Sequence, residues 1–498
     1  MSGIRQFYEG ENLFITGGTG FIGKILVEKF LRDFPEIRNI YLLIRVKRGK
    51  TAHERLDELT NLPMFEPLRK VNPDFLRKLI PICGDATKPG LGISDQDREL
   101  IIKEVSIIFH AAASTRFDEL LRFSVPINVN SVMEIMSICR ECTNLKAAVY
   151  VSTAFSQCIY GNIKEKVYSL PMSYEEINNT VQIIKRRNLS KEDEVAFTKI
   201  LLGNFPNTYV FTKSIAEGLL NERAKDLPFS IFRFPIALAT YKEPLPGWID
   251  TIQGLNQAMV GVGLGIIRLF NVDGNANLHV VPADWTCNAL IGTAYETDTF
   301  KNRENPDELP VYNYAANENN ILTWNKYRPI TLKYTPHMMP IKAVYYPYYF
   351  FIKSARLFTF LHFILHFLPA ILGDVVLRIS GRKPILHKVF KKGNKFIKVT
   401  KFFTLWNWTF ESKMVQSMWN KLSEADKRLI PFDLTHIDWE DFTVQAWQGT
   451  LTYALKDYAS SEERFNKFKR LQKIHRTIQI LVAAIIIWFI WKLYLVLL

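Results

Sequence analysis

The sequence is poor in cysteine, lacks an apolar leader and shows no fibrous repeat. Five cysteines in 498 residues, behind an opening Met1-Ser2-Gly3-Ile4-Arg5, supply no disulfide framework, and the bulk of the chain is expected to face the cytosol. Cys139 and Cys142 form a Cys-x-x-Cys, but no second pair answers it. A zinc site is therefore not expected, and the two thiols read as neighbours on one helix face. Glycine and proline number 24 and 23 with no collagen period, and 48% of the residues are hydrophobic, which excludes disorder. The length suits two or three domains with a sizeable core.

Acid is missing where positive charge is densest. Lys and Arg outnumber Asp and Glu by 63 to 49, a net charge of +14. The excess is not spread over a recognition domain: residues 378–401 hold nine Lys/Arg and residues 464–476 hold six, with no acid in either run. No nucleic-acid partner is expected. The second run abuts residues 477–498, whose only charge is Lys492. At about 1.5 Å per residue this segment spans about 33 Å, the thickness of a bilayer's hydrocarbon core. Trp488, Trp491 and Tyr494 suit the interface, and Lys492 is able to snorkel. Basic residues before a final span predict a tail anchor with everything before it in the cytosol. The basic runs read as contacts with anionic lipid, with substrate phosphates as the alternative for one of them. The endoplasmic reticulum is favoured over the peroxisome, since Leu497-Leu498 is not a peroxisomal tripeptide. A further apolar stretch, residues 357–373, contains His362, His366 and Pro369. It reads as a helix lying on the membrane or covering a greasy pocket, with a plain core helix as the alternative. Its two histidines have no third ligand, so no metal is expected.

From Asn12 the chain runs apolar and then turns on glycine: Leu13-Phe14-Ile15-Thr16-Gly17-Gly18-Thr19-Gly20-Phe21-Ile22-Gly23, followed by a helical pattern through Phe30. A buried strand feeding a helix through glycines presents bare backbone N–H groups to a pyrophosphate, which makes this a dinucleotide site. Gly18-x4-Gly23-Lys24 imitates a P-loop, but Ile25 stands where a magnesium-binding Ser or Thr is required, so ATP or GTP hydrolysis is disfavoured. The next strand, residues 40–44, ends in Arg45, with Lys47 and Arg48 beyond, where an NAD site places an acid for the ribose hydroxyl. Cations there suit a 2′-phosphate, so NADPH is expected, with a solvated basic loop as the plain alternative. Further apolar segments at residues 79–83, 106–109, 147–151 and 229–232 alternate with helical patterns. The fold class is therefore α/β, a doubly wound parallel Rossmann-type sheet with ligands at the strands' C-terminal ends. The residues that follow those strands are Gly84-Asp85-Ala86, His110-Ala111-Ala112, Ser152-Thr153-Ala154 and Pro235.

Reducing a carbonyl generates an oxyanion, which needs a proton donor and a hydrogen-bonding neighbour. A tyrosine serves if a nearby cation lowers its pKa from about 10, and a lysine four residues on lies one turn away. Three such pairs occur: Tyr160/Lys164, Tyr209/Lys213 and Tyr349/Lys353. Tyr160 sits in a polar loop and Tyr349 lies outside the alternating region. Tyr209 opens a helical stretch over residues 210–223, immediately before the strand at Phe229, which selects Tyr209 and Lys213.

These motifs together resemble the extended short-chain dehydrogenase/reductase superfamily and, within it, the animal fatty acyl-CoA reductases. The resemblance rests on TGGTGFIG at residues 16–23, LLIR ending at Arg45, FHAAASTRFDE at 109–119, VSTA at 151–154, PNTYVFTKSIAE at 206–217 and HVVPADWTCNAL at 279–290. It continues into a C-terminal module of the male-sterility type, covering nearly the whole chain. It implies that Tyr209 is the proton donor and that Lys213 holds the nicotinamide ribose. Thr153, with Ser152 beside it, hydrogen-bonds the substrate oxygen, and Asn128 supports the lysine and a water chain. Arg45 and Arg55 grip the 2′-phosphate, and Asp85 with Ala86 meets the adenine. The implied organisation is an NADPH-binding reductase domain over 1–340, a helical male-sterility-type domain over 341–462, a basic segment over 463–476 and a transmembrane anchor over 477–498. The implied reaction is reduction of long-chain fatty acyl-CoA to a primary alcohol through an aldehyde. VSTA lies 56 residues before Tyr209, farther than in compact members of the superfamily, and the insertion at 160–205, with Lys185, Arg186 and Arg187, reads as a lid, a contact for CoA phosphates or a solvated excursion. A membrane-bound hydroxysteroid dehydrogenase or sugar-nucleotide epimerase shares the cofactor half and the Tyr/Lys pair, and a non-catalytic NADP-binding scaffold is the remaining alternative.

Overall fold

In the computed structural model, residues 2–169, 172–299, 308–316 and 318–497 are described. Seven strands form one sheet: β1 (Asn12–Thr16), β2 (Asn39–Ile44), β3 (Leu79–Cys83), β4 (Ile107–His110), β5 (Ala147–Thr153), β6 (Phe229–Phe234) and β7 (Val311–Asn313). Every pairing is parallel, in the order β7-β6-β5-β4-β1-β2-β3. The order reverses between β1 and β4, and that crevice at the strands' C-terminal ends is where this architecture takes its ligand. β1, β4 and β5 are buried at every position, as expected of parallel strands covered on both faces.

Four helices frame the site: α1 (Phe21–Asp33), α2 (Ser131–Glu141), α3 (Thr208–Arg223) and α4 (Ala283–Thr299). α1 packs on α4, α4 covers β5 and β6, and α3 runs along β5. A π-helical turn, Pro126–Asn130, leads into α2. Two glycines are dictated by this geometry. Gly17 has φ +76°, and a Cβ there would lie 2.7 Å from the backbone of Ala111 and Ala112. At Gly23 a Cβ would lie 2.2 Å from the Gly17 carbonyl oxygen, so only a bare backbone lets α1 approach the turn.

β5 and β6 run beyond their apolar residues. Ser152 pairs with Arg233 and Thr153 with Phe234, so polar side chains are carried to the end of a buried strand. The insertion at 160–205 contains helices Tyr174–Arg186 and Lys191–Leu202; its residues 170 and 171 lie outside the described residues. It is fastened to the reductase sheet's side of the molecule: Ile177, Val181 and Ile184 are buried, and the buried Glu194 pairs with Arg122. Lys185, Arg186 and Arg187 are exposed.

The chain divides into two units interleaved in sequence. The first comprises Met1–Trp248, His279–Ile321 and Trp408–Ile437; the second comprises Ile249–Leu278, Leu322–Asn407 and Asp438–Leu498. This differs from a single crossing near residue 340, because a return strand in the first unit, Thr409–Phe410, pairs with Asn162–Ile163. The second unit is mainly helical, with Gly254–Gly263, Trp324–Met338, Leu386–Leu405, Trp439–Gly449 and Ser461–Leu497. Its core joins Met339, Ala343 and Leu471, packed by Tyr346 and Phe468. Arg464 fixes the base of the last helix through Asp457, at 2.9 Å, and the Met339 carbonyl, at 2.8 Å. Two helices among the described residues are long and apolar enough to cross a membrane, Ala355–Ile379 and Ser461–Leu497; Leu498 lies outside the described residues.

Candidate active site

α3 presents Tyr209, Lys213 and Glu217 on one face, each a turn after the last. It starts cleanly because the Asn207 side chain accepts the Val210 N–H at 3.0 Å. The half-buried Tyr209 phenol hydrogen-bonds the Thr153 hydroxyl at the end of β5. Burial pushes the phenol up to about 12, against the pull of the Thr153 hydrogen bond. The phenol thus stays protonated at neutral pH, as a proton donor must. The ring of Phe117 stacks on Tyr209 at 6.0 Å, a contact that the sequence did not signal.

The Lys213 ammonium is buried, donates to the Val151 carbonyl at 2.7 Å and sits 4.4 Å from the Tyr150 ring centre. Burial lowers it to about 7, while the Glu217 carboxylate raises it. Burial, rather than the ammonium, is thus the largest influence on the phenol in this structure. Glu217 is itself sealed in an ion pair with Arg233 of β6, at 2.7 Å. It accepts hydrogen bonds from Ser152, at 2.5 Å, and from Gln157, at 3.3 Å. Burial alone would raise the carboxyl, but Arg233 and Ser152 outweigh it and hold it below the usual range.

Ser152 and Thr153 therefore part company. The Ser152 hydroxyl is committed to Glu217, and Thr153 is the hydroxyl brought to Tyr209. Asn128, in the π-helical turn, donates to the Thr212 hydroxyl at 2.9 Å and to the Ser114 carbonyl at 3.1 Å, and accepts the Ser114 N–H at 2.8 Å. It ties the loop after β4 to α3 one residue before Lys213. Below it, His110 bridges Thr16, at 2.7 Å, and Ser131, at 3.0 Å. Burial first, and the Lys213 charge second, lower His110 to about 3, so its imidazole is neutral.

The glycine turn lies beside this cluster. Gly20 opens α1 without a side-chain cap, leaving backbone N–H groups for an anion. Gly20 donates to the Gly17 carbonyl at 2.8 Å, and the Ala111 N–H donates to the Thr16 carbonyl at 3.2 Å. Phe21 stacks on Trp248 at 5.7 Å, and Ile22 follows it in the first turn of α1. Arg55 donates to the Thr19 hydroxyl at 3.4 Å and to the Arg45 carbonyl at 2.6 Å. Arg45, Lys47 and Arg48 are exposed at the end of β2. Arg45, then partial burial, Arg55 and Arg48 hold the Lys47 ammonium below its usual range, the signature of like charges gathered without an acid to answer them. Asp85, after β3, accepts from the Thr87 N–H at 3.0 Å, with Ala86 buried beside it. Pro235 is buried directly after β6. The rival pairs lie elsewhere: Tyr160 is exposed against Tyr168, and the Tyr349 hydroxyl bonds Thr331 at 2.6 Å while Lys353 pairs with Asp273.

The sheet order, the glycine turn and a Tyr–Lys pair over the end of β5 define a nicotinamide-dependent reductase of Rossmann type. The comparisons narrow this class. Two profiles described as male sterility protein match residues 15–290 and 365–457. Fatty acyl-CoA reductase wat of Drosophila melanogaster is 37% identical over 494 residues, covering 99% of this chain and 93% of its own. Fatty acyl-CoA reductase 1 of Rattus norvegicus is 31% identical over 493 residues, covering 98% and 93%. The chain belongs to the fatty acyl-CoA reductase family. Among solved structures, the terminal R domain of the myxalamid PKS-NRPS pathway has a TM-score of 0.56 at 16% identity, covering 89% of this chain and 91% of that one. The reductase domain of a non-ribosomal peptide synthetase from Mycobacterium tuberculosis also scores 0.56, at 15% identity, covering 89% and 92%. These two likenesses show the shared fold.

Proposed function

We propose that the protein reduces long-chain fatty acyl-CoA to a primary alcohol with NADPH, at one site, on the cytosolic side of a membrane that its last helix enters. The observation that carries this reading is the Tyr209–Thr153 pair with Lys213 one turn on, beside an uncapped helix that needs glycine at residues 17 and 23. The site fits the cofactor: a Cβ at Gly17 or Gly23 would collide with backbone, the N-terminus of α1 suits a pyrophosphate, and Arg45, Lys47 and Arg55 suit a 2′-phosphate. Asp85 and Ala86 would meet the adenine, and Ala111 and Pro235 would line the nicotinamide end. When bound, NADPH supplies the hydride of each reduction.

The chain's residues supply the rest. As the thioester carbonyl becomes an alkoxide, Tyr209 gives it the phenolic proton and Thr153 donates a hydrogen bond to the same oxygen. Collapse of the resulting hemithioacetal returns its hydroxyl proton to the Tyr209 phenolate, breaks the carbon–sulfur bond and releases CoA as a thiolate that takes its proton from water. The aldehyde oxygen then occupies the same place, and a second proton from Tyr209 completes the alcohol. Lys213 would orient the ribose and, once protonated, favour the phenolate left behind. Asn128 would hold Ser114 and α3 in register for reprotonation. A thioester is already activated, in keeping with the incomplete P-loop at Ile25.

Incubation with NADPH and radiolabelled palmitoyl-CoA, followed by separation of alcohol, aldehyde and acid, tests the reading. Alcohol is the expected product, and Tyr209→Phe is expected to lose about 10²-fold or more of the rate. Unchanged turnover in that variant would remove Tyr209 from its role, and reduction of a steroid or sugar nucleotide instead would replace the substrate. We assign the anchor to the endoplasmic reticulum; co-localisation against peroxisomal markers decides it.

A further inference from the structure

We infer that the helical hairpin formed by Ala355–Ile379 and Leu386–Leu405 lies in the interfacial layer of an anionic bilayer, a second lipid contact beside the tail anchor. The inference rests on the reading of residues 477–498 as that anchor.

The first helix is apolar and largely bare, held at its middle turn by Arg268, whose backbone N–H donates to the buried His366 at 2.9 Å and whose guanidinium donates to the Leu365 carbonyl at 3.0 Å. No side chain is buried in its two α-helical parts, Ala355–His362 and Leu368–Ile379, and Phe360, Leu372, Val376 and Ile379 are exposed, the last at 82%. A core helix hides its apolar face, and this one does not. The second helix carries six lysines and no acid. Anionic lipid attracts each such cation near its surface. Trp406, at the end of this helix, is 60% exposed, in keeping with an aromatic residue at the headgroup level.

The hairpin's ends decide between lying and spanning. On the way in, Phe350–Phe351 pairs with Leu269–Phe270, and the Ile352 N–H donates to the Phe270 carbonyl at 2.9 Å. On the way out, the Thr404 hydroxyl donates to the Asn271 carbonyl at 2.7 Å, and the Asp273 N–H donates to the Thr404 carbonyl at 3.0 Å. The chain therefore leaves and returns at one place. The far end is closed by Asp374, which accepts the N–H groups of Leu386, at 2.8 Å, and His387, at 3.0 Å. If the first helix crossed the membrane, the second would have to cross back and carry its lysines through the bilayer centre, where a charged side chain is costly. Lying in the interface avoids that cost.

The root of the hairpin also sits at the right depth. The Tyr348 ring packs on Phe350, at 5.6 Å, and on His475, at 4.9 Å. The Tyr345 hydroxyl bonds His475 Nδ1 at 2.8 Å. His475 lies just before the apolar run that begins at Thr477, so the hairpin springs from the point where the anchor enters lipid.

The test uses the full chain with Cys83→Ser, which removes the exposed thiol among the described residues. Single cysteines are placed by Phe360→Cys, Val376→Cys, Ile379→Cys and, in the anchor, Ile486→Cys. Each is labelled with a nitrobenzoxadiazole dye and reconstituted into phosphatidylcholine/phosphatidylserine vesicles. Retained reduction of acyl-CoA identifies the folded variants, and three hairpin positions leave a reporter if one fails. The hairpin dyes are expected to be quenched more by lipid nitroxides near the carbonyls than by nitroxides deep in the chains, with the reverse at residue 486. Omitting phosphatidylserine, or substituting Lys391→Glu, Lys395→Glu and Lys398→Glu together, is expected to reduce the shallow quenching. Deep quenching at residues 360 and 376 would show a span and overturn the inference. Absence of lipid quenching, with emission shifting on addition of palmitoyl-CoA, would show a cover over the acyl chain and overturn it as well. A dye at 486 that is unquenched while the hairpin dyes are quenched would discard the anchor and keep the hairpin.

Discussion

An ammonium sealed where Lys213 lies is held charged by little besides Glu217. Burial draws it to about 7 from 10.5, and the carboxylate opposes that. Glu217→Gln is therefore expected to move the basic limb of the pH–rate profile to lower pH, whereas a merely structural loss would lower the rate equally at every pH. The same shift acts on stability. Between about 7 and 10.5 the unfolded chain holds a proton at Lys213 that the folded chain has released, so stability rises with pH across that window. Thermal melts of the cofactor-free protein are expected to show this rise, and Lys213→Met is expected to flatten it. At the other end of the site, Arg45→Ala with Arg55→Ala is expected to weaken NADPH binding by about tenfold or more, from loss of charge-assisted hydrogen bonds, and to leave NADH nearly unaffected. Titration calorimetry with both coenzymes checks this. Tyr209, Lys213 and Thr153 were legible because a strand end and a helix start fix them locally. That Ser152 is committed elsewhere was not, since it is claimed by Glu217, which is 65 residues away. Glu217 did leave a trace, as the third member of the face begun by Tyr209 and Lys213. Phe117 left none.

Among elements, α1 is positioned by what its first turn omits. Gly23→Ala would set a methyl 2.2 Å from the Gly17 carbonyl oxygen, and the expected result is a loss of about 1–3 kcal/mol. NADPH is expected to raise the melting temperature of that variant much less than that of the parent, as differential scanning fluorimetry would show. From β1 to β6 the strand starts were readable to within a residue from apolar runs, as were the ends of β2, β3 and β4, but β5 and β6 run two residues beyond their apolar segments. Ser152, Thr153 and Arg233 are polar, and only their partners across the ladder keep them extended. β7, three residues long, is too short to show a period. The helices of residues 160–205 carry capping signals at Ser173 and Ser190.

For the molecule as a whole, deletion of residues 477–498 is expected to make the protein extractable by alkaline carbonate while sparing reduction of micellar acyl-CoA. Fractionation with an activity assay checks both parts. The division into units was the least legible feature, because no composition change marks the points at which the chain returns to the reductase unit. A chain ending at residue 340 is expected to be insoluble, lacking Trp408–Ile437 and with it the partner of Asn162–Ile163. That late return also sets a timetable for biosynthesis. The ribosome must deliver residues 408–437 before the catalytic unit can close, and the apolar run at 477–498 follows within some sixty residues. Closure of the reductase unit and emergence of that apolar run thus fall close together in translation, so chaperones must shelter the open sheet until both are made.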